Sequence, residues 1–461
     1  MPLIKSISGI RGTIGGKVSD NLTPVDAVKF ASAYGTMIKR QSGSSKPRVV
    51  VGRDGRISGP IIQDLVVASL RSVGIDVIDL DLSTTPTVEV AVPLENADGG
   101  IILTASHNPI EWNALKLLNS AGEFLDAEKG AEVLALAEAE DFDYVPVLEL
   151  GTIERKEDYI ERHIDLVLGL EGVDVEAIRS ADFSIAVDGV NSTGGIAIPM
   201  LLEALGVRKI TALYCEPTGH FPHNPEPLAE HLTDLSTAVV ENGCDLGITV
   251  DPDVDRLAFI SEDGSMFGEE YTLVACADYY MSVKPGNTVS NMSSSRALRD
   301  VTENHGQSYT ASAVGEVNVV KAMKETNATI GGEGNGGIIL PALHYGRDAL
   351  VGVALFLSHL AKGQKKMTEL RASYPSYFMS KQKIQLKPGM DVDGLLDQMA
   401  SKYADLDPTT IDGVKIDFPQ EWVHLRKSNT EPIIRVYSES GSPEGASALA
   451  DRFRDEVLAL T

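Results

Sequence analysis

Asp251-Pro252-Asp253-Val254-Asp255-Arg256 follows the apolar run Leu246–Val250. Three carboxylates at alternate positions can converge on one hard cation, and an oxygen-only donor set suits Mg²⁺ or Ca²⁺ better than Zn²⁺. An EF-hand loop is excluded, although Glu262 falls at its twelfth position. Arg256 stands at the sixth, where the sharp turn needs Gly, and both flanks read as strands. A D-x-D loop after a strand also suits an aspartyl-phosphate mechanism, with Asp251 as nucleophile and Asp253 as acid. A solvated acidic turn is the plainest alternative.

Three other segments carry comparable equipment. Thr104-Ala105-Ser106-His107-Asn108-Pro109 follows the apolar strand Gly100–Leu103. A serine at the C-terminal end of a strand can act as nucleophile or phosphate carrier, with His107 beside it to exchange a proton; an Asn-Pro turn is the alternative. Gly331-Gly332-Glu333-Gly334-Asn335-Gly336-Gly337 contains G-x-G-x-x-G, but Ile338-Ile339-Leu340-Pro341 follows, so no helix opens there to receive a pyrophosphate. It reads as a loop bringing the Glu333 carboxylate and the Asn335 amide to sugar hydroxyls, or as a flexible turn. Arg426-Lys427-Ser428-Asn429-Thr430-Glu431-Pro432 is a compact donor set for a phosphate, or a capped surface turn. No G-x-x-x-x-G-K-[ST] loop is present, so a nucleoside triphosphate is not implied.

These loops need a scaffold, and the pattern supplies one. A strand over 47–52, a helix over 58–73 ending at Gly74, and a strand over 75–82 give a βαβ rhythm. Thr23, with Pro24 next and Asp26 three residues on, starts an earlier helix. The rhythm restarts at Ser184–Asp188. A buried strand running into Asp recurs at Asp54, Asp188 and Asp251, a hint of three related units. The fold expected is α/β: three related domains with mixed, largely parallel sheets, then a smaller α+β domain. The expected divisions are residues 1–153 with the Ser106 loop, 154–254 with the Asp251 loop, 255–373 with the Glu333 loop and 374–461 with the Arg426 loop.

The 40 Lys and Arg against 66 Asp and Glu give a net charge of −26. That balance excludes nucleic acid as the main partner and disfavours an anionic membrane surface. No run reaches the roughly 18 apolar residues of a membrane span, and no signal peptide is visible. Cys215, Cys244 and Cys276 form no C-x-x-C pair, so a reducing, cytoplasmic setting is expected.

In order and spacing the four loops resemble those of the α-D-phosphohexomutase superfamily. T-A-S-H-N-P resembles its phosphoserine loop, D-P-D-V-D-R its metal loop, G-E-G-N-G-G its sugar loop and R-K-S-N-T-E-P its phosphate loop; Ser8-Gly9-Ile10-Arg11-Gly12 resembles its opening motif. The resemblance implies a heart-shaped, four-domain isomerase whose last domain has a TATA-binding-protein-like fold. It would move a phosphoryl group between the 6- and 1-positions of a hexose phosphate through a bound 1,6-bisphosphate. Ser106 would be the phosphoserine. One Mg²⁺ would lie between Asp251, Asp253, Asp255 and that phosphate. Arg11, His107 and Lys116 would surround Ser106, with Lys116 or His107 as general acid/base. Arg256, Glu333 and Asn335 would hold the sugar or the transferring group. Arg426, Ser428, Asn429 and Thr430 would hold the other phosphate. A hinge near Tyr374 would let the last domain move. The partner implied is a small phosphorylated hexose, the assembly a monomer or homodimer. Asn335 and Gly337, where many members have Ser and His, resemble a subset of phosphoglucosamine mutases, which points to glucosamine 6-phosphate. Dual glucose/mannose specificity and a non-catalytic phosphosugar-binding protein are the alternatives. Two departures stand out: Ala114 follows Asn113 where Gly is usual, and Val314-Gly315-Glu316-Val317 lacks a usual basic residue.

Overall fold

The computed structural model describes residues 3–6, 9–386, 390–428 and 433–460. Nineteen strands among them form four sheets. The first contains β1 (Ile4–Ser6), β2 (Gly9–Thr13), β3 (Arg48–Arg53), β4 (Asp76–Leu82), β5 (Gly99–Leu103), β6 (Trp112–Leu118) and β7 (Ile153–Arg155), in the order β1-β2-β6-β5-β3-β4-β7. The second contains β8 (Ser184–Asp188), β9 (Lys209–Leu213), β10 (Leu246–Val250) and β11 (Leu257–Ser261), in the order β11-β10-β8-β9. The third contains β12 (Thr288–Asn291), β13 (Tyr309–Ser312), β14 (Ile330–Glu333) and β15 (Gly337–Ile339), in the order β13-β12-β14-β15.

One unit underlies all three. Three parallel strands lie in the spatial order second, first, third, and a fourth returns antiparallel beside the third. In the first sheet this unit is β4-β3-β5-β6, with β7, β2 and β1 added at its edges. The expected repeat is therefore real, but its sequence marker was only partly right. Asp54 and Asp188 close the first strand of their units, whereas Asp251 follows a third strand. What the units share is a hairpin loop between the third and fourth strands. The Ser106, Asp251 and Asn335 motifs each occupy that loop.

The fourth sheet is wholly antiparallel: β16 (Phe378–Gln385), β17 (Val414–Asp417), β18 (Trp422–Lys427) and β19 (Ile433–Ser440), in the order β16-β19-β18-β17. Helices 392–402 and 443–458 cover it through Leu395, Met399, Ala450 and Phe453. Strand β16 was not foreseen. It is an edge strand of sequence F-M-S-K-Q-K-I-Q in which only Ile384 is buried, so it lacks a hydrophobic signature.

The cores show why two expected divisions misplace strands. The division at 254/255 separates β10 from β11, which pair over their whole length, and that at 153/154 cuts β7, which belongs to the first sheet. The second and third sheets also share one core, in which the apolar helices 269–283 and 349–363 meet residues from Ile160 to Leu257. The first sheet is covered on one face by helices 24–41 and 59–72 and on the other by helix 85–94. No helix among the described residues is long and apolar enough to cross a membrane.

Glu270, at the start of helix 269–283, supports the third unit where the fourth sheet docks. Its Oε2 accepts the Ser295 amide at 2.8 Å. A Cβ on Gly334 would drive into the same carboxylate, so the sugar-type loop needs Gly there. Burial pushes Glu270 up to about 8, with Glu269 and Glu439 adding to the rise. The folded chain thus keeps a proton that the unfolded chain releases above its ordinary value of 4.5, and this contribution to stability is lost as pH rises through about 8. Glu270→Gln is expected to stabilise the protein at about pH 9 relative to wild type and to leave it little changed at about pH 5. Urea midpoints at the two pH values check this, and an equal shift at both would refute it.

Candidate active site

Ser106 sits in the loop between β5 and β6 with φ +49°, a left-handed backbone that serine seldom adopts. The loop is held from below by Arg56, whose side chain is fully buried. Its guanidinium donates to the carbonyls of Ser106 (2.6 Å), Asn108 (2.6 Å), Pro109 (2.8 Å) and Trp112 (2.9 Å), and to Asp54 Oδ2 (3.1 Å). Thr104 Oγ1 donates to the same Asp54 oxygen at 2.7 Å and accepts the Ser106 amide at 2.9 Å. Each of these donors faces a carbonyl, carboxylate or hydroxyl oxygen, so the loop's polar groups are satisfied in this arrangement.

Held this way, Ser106 Oγ donates to Asp251 Oδ2 at 2.7 Å and lies 3.2 Å from His107 Nδ1. Asp251, Asp253 and Asp255 are fully buried, and one oxygen from each lies within 4.8 Å of the others. Their loop carries its own strain, since Val254 is β-branched yet has φ +65°. The second unit secures it by donating Ser192 Oγ and Thr193 Oγ1 to the Pro252 carbonyl at 2.6 and 2.9 Å.

Cations from two other units come to the triad. Lys116 on β6 donates to Asp253 at 2.7 Å and Asp255 at 3.3 Å. Arg347, from the segment after β15, donates to Asp255 Oδ2 at 2.7 Å, Glu316 at 3.0 Å and Glu333 at 3.0 Å. Thr85 Oγ1 adds a 2.5 Å bond to Asp253. Burial would strip Lys116 of its proton, but Asp253 and Asp255 outweigh it and hold its pKa above the usual lysine range. Burial would likewise raise Asp255, but Arg347, Lys116 and Arg256 hold it well below the carboxylate range. Asp251, buried beside Asp255 and Asp253 with less compensation, is pushed well up. Asp253 Oδ1, Asp255 Oδ1 and Arg256 Nε are buried without a hydrogen-bond partner. Two carboxylate oxygens and a guanidinium nitrogen left this way, in an oxygen-only donor set, fit a hard divalent cation and an anion beside it.

The structure therefore brings together Ser106, His107, Lys116, Asp251, Asp253, Asp255 and Arg256. Arg11, on β2, joins them by donating to Asn108 Oδ1 at 3.4 Å. Burial, followed by the charges of Arg256, Arg347 and Arg11, pushes His107 down to about 2, so its imidazole is neutral. Glu333 is linked through Arg347 and fixed by Asn291 at 2.9 Å and the Gly315 amide at 3.2 Å. Asn335 is half-buried, its Oδ1 accepting the Gly337 amide at 3.3 Å. Arg426 Nε lies 2.8 Å from Asp412 Oδ2, which also accepts the Val314 amide, so the fourth loop connects to the sugar-type loop through residues 314–315. Ser428 is buried at the end of β18. Asn429 and Thr430 lie outside the described residues.

Sequence reasoning missed four of the groups that organise this site. Arg56 and Arg347 lie outside the motifs, although Arg56 follows Asp54-Gly55 at a strand end and Arg347 precedes Asp348, whose side chain caps an apolar helix. Glu316 was noted only as the lack of a base. Glu226, which accepts Arg256 Nη1 at 3.2 Å, comes from a long loop with no signal of its own. Arg56 gives the sharpest test. Arg56→Met strands Asp54 and four carbonyls and is expected to lower the unfolding free energy by about 3–5 kcal/mol. Denaturant titration checks this, and a loss below about 1 kcal/mol would mean that the guanidinium does not hold the loop.

Each part of the chain matches a domain family of known proteins. Residues 4–144, 158–264 and 268–377 match the phosphoglucomutase/phosphomannomutase alpha/beta/alpha domains I, II and III, and residues 381–456 match the C-terminal domain. The chain is 39% identical over 445 residues to a phosphoglucomutase/phosphomannomutase of Thermococcus kodakarensis, covering 94% of this chain and 95% of that protein. It is 31% identical over 458 residues to a phosphoglucosamine/phosphogalactosamine mutase of Sulfurisphaera tokodaii, covering 97% and 98%. Its fold is similar to the crystal structure of a phosphoglucomutase/phosphomannomutase family protein from Burkholderia thailandensis, with a TM-score of 0.83 at 25% identity over 99% and 98% of the two chains. With four domain matches in order along nearly its whole length, the chain belongs to the phosphoglucomutase/phosphomannomutase family of α-D-phosphohexomutases.

Proposed function

We propose that this phosphohexomutase converts glucosamine 6-phosphate to glucosamine 1-phosphate with Ser106 as the phosphoryl carrier. The observation that carries the reading is Ser106 Oγ held 2.7 Å from Asp251, at the edge of a buried oxygen triad that Lys116 and Arg347 neutralise. Asp251, Asp253, Asp255 and the phosphate on Ser106 would hold one Mg²⁺. When bound, that ion would draw charge from the transferring phosphoryl oxygens and from Ser106 Oγ.

The rest of the chemistry belongs to the chain. The P–Oγ bond to Ser106 breaks as a bond forms to O1 of the 6-phosphosugar, and the hydroxyl proton of the sugar ends on Ser106 Oγ. His107, neutral and 3.2 Å from that oxygen, and Lys116, protonated beside the triad, are the groups we assign to handle the proton. The resulting 1,6-bisphosphate turns end for end and returns its 6-phosphoryl group to Ser106. Such transfer relies on alignment and charge neutralisation. Arg11 and Arg256 would steady the transferring group, Glu333 and Asn335 the sugar hydroxyls. Arg426, Ser428, Asn429 and Thr430 would hold the resting phosphate. Turnover asks the last domain to move. Tyr374 is buried and bonded to Asp278 and His359, which supports a pivot beyond it rather than at it.

Two features support an amino sugar. The loop ends Asn335-Gly336-Gly337, and Glu316 stands beside it where many members of the resembled family have a basic residue; Glu316, Glu333 and Asp255 share the one guanidinium of Arg347, an excess of carboxylate that suits an ammonium on the sugar. The name of the Sulfurisphaera relative agrees. The higher identity to the Thermococcus relative favours dual glucose/mannose specificity instead.

A side-by-side assay of glucosamine, glucose, mannose and N-acetylglucosamine phosphates, with Mg²⁺ and an activating hexose 1,6-bisphosphate, separates the two. The highest kcat/KM is expected for glucosamine phosphate, and a preference for glucose 1-phosphate by orders of magnitude would overturn the substrate assignment. Intact-mass and peptide analysis of active enzyme is expected to find phosphate on Ser106. Full activity with Ser106 unmodified during turnover would rule out the carrier role.

A further inference from the structure

A second cluster of ligand-type side chains is buried where the first three units meet. His163 comes from helix 159–168, and His344 and Asp348 from the segment that follows β15. His163 Nε2 and His344 Nε2 lie 2.9 and 3.1 Å from one oxygen, Asp348 Oδ2. One ligand atom from each of the three residues lies within 4.8 Å of the others. The second oxygen, Asp348 Oδ1, is engaged elsewhere, accepting the Leu350 and Val351 amides at the start of helix 349–363.

A group from the first unit stands behind each imidazole. Thr87 Oγ1 is 3.0 Å from His163 Nδ1, and Glu89 Oε2 is 3.4 Å from His344 Nδ1. The Glu89 side chain is 1% exposed, and neither of its oxygens makes a hydrogen bond; nor does His344 Nδ1. Among the described residues, only histidines lie within ion-pair distance of Glu89 or Asp348. Two buried carboxylates thus face two imidazoles with, among the described residues, no Lys or Arg within ion-pair distance, an arrangement that costs free energy unless positive charge is supplied.

We propose that His163, His344 and Asp348 form a second metal site, selective for a borderline divalent cation of the Zn²⁺ type. Imidazole nitrogens suit such an ion and not Mg²⁺, which separates this site from the oxygen-only triad. Both histidines supply Nε2 and Asp348 supplies Oδ2, with a fourth position for a small ligand such as water. Glu89 and Thr87 accept the two Nδ1–H groups, the arrangement that orients imidazole ligands and raises their basicity. Asp348 and Glu89 together balance the charge of the dication. The ligands come from the second and third units and their supports from the first, so the ion ties all three together.

Chelator-treated full-length protein, titrated with Zn²⁺ in excess Mg²⁺, is expected to bind one Zn²⁺ per chain and to melt at a higher temperature. X-ray absorption at the zinc edge is expected to show scattering from two imidazoles. His163→Gln and His344→Gln should abolish this uptake, Glu89→Gln should weaken it roughly 10- to 100-fold, and Asp253→Asn should leave it intact. Where a histidine variant does not fold, the absorption spectrum of the wild type decides, and an oxygen-only shell overturns the proposal. So does the absence of Zn²⁺ uptake, or uptake kept in His344→Gln and lost in Asp253→Asn.

Discussion

Three carboxylates buried within 4.8 Å of one another cannot all stay ionised unless cations reach them. Most of the architecture follows from that constraint. The second unit, which carries Asp251, Asp253 and Asp255, does not supply enough positive charge. Lys116 arrives from a strand of the first unit and Arg347 from the third, each bonded directly to the triad. The same contacts that bring positive charge to Asp253 and Asp255 therefore clamp three domains around one point. Arg347 also reaches Glu333, so the geometry of the sugar-type loop depends on the charge state of the metal-type loop.

Repetition explains why the chemistry converges. Each of the first three units ends its parallel strands with a hairpin, and each hairpin loop carries one functional motif. Three copies of the same loop, facing a common centre, build a site that no single unit could. The backbone records the demand: Ser106 and Val254 both sit in left-handed conformations that their side chains disfavour. Arg56, Asp54 and Thr104 in one unit, and Ser192 and Thr193 in another, supply the bonds that keep the two loops in place.

The net charge of −26 looks hostile to a phosphorylated ligand. It describes the average surface. At the site, burial and then the charges of Arg256, Arg347 and Arg11 depress His107 to about 2, and Lys116 stands beside the triad. Over a screening length of about 8–10 Å the local field decides what binds.

Much of this was legible in the residues. Short continuous apolar runs bounded by turn residues marked the strands around Val50, Val187 and Ile248, which are buried on both faces. The four loops were legible because carboxylates, serine, glycine and arginine at close sequence spacing are chemically conspicuous. Strand β16 was not, since an edge strand need not be apolar. Arg56, Arg347, Glu226 and Glu316 were not, since their roles rest on contacts such as Arg256–Glu226, Arg347–Glu316, Arg56–Ser106 and Arg347–Asp255, which lie 30 to 92 positions apart in the chain. Nor was the pairing of β10 with β11, because a hairpin that carries charged residues at its turn reads as a boundary. Sequence by itself determined which side chains are available for phosphate, cation and sugar chemistry, and the order in which they occur. Only tertiary structure decided which cation compensates which carboxylate, and where Ser106 points. Both depend on charges and carbonyls brought together across domains, over distances that no local pattern encodes.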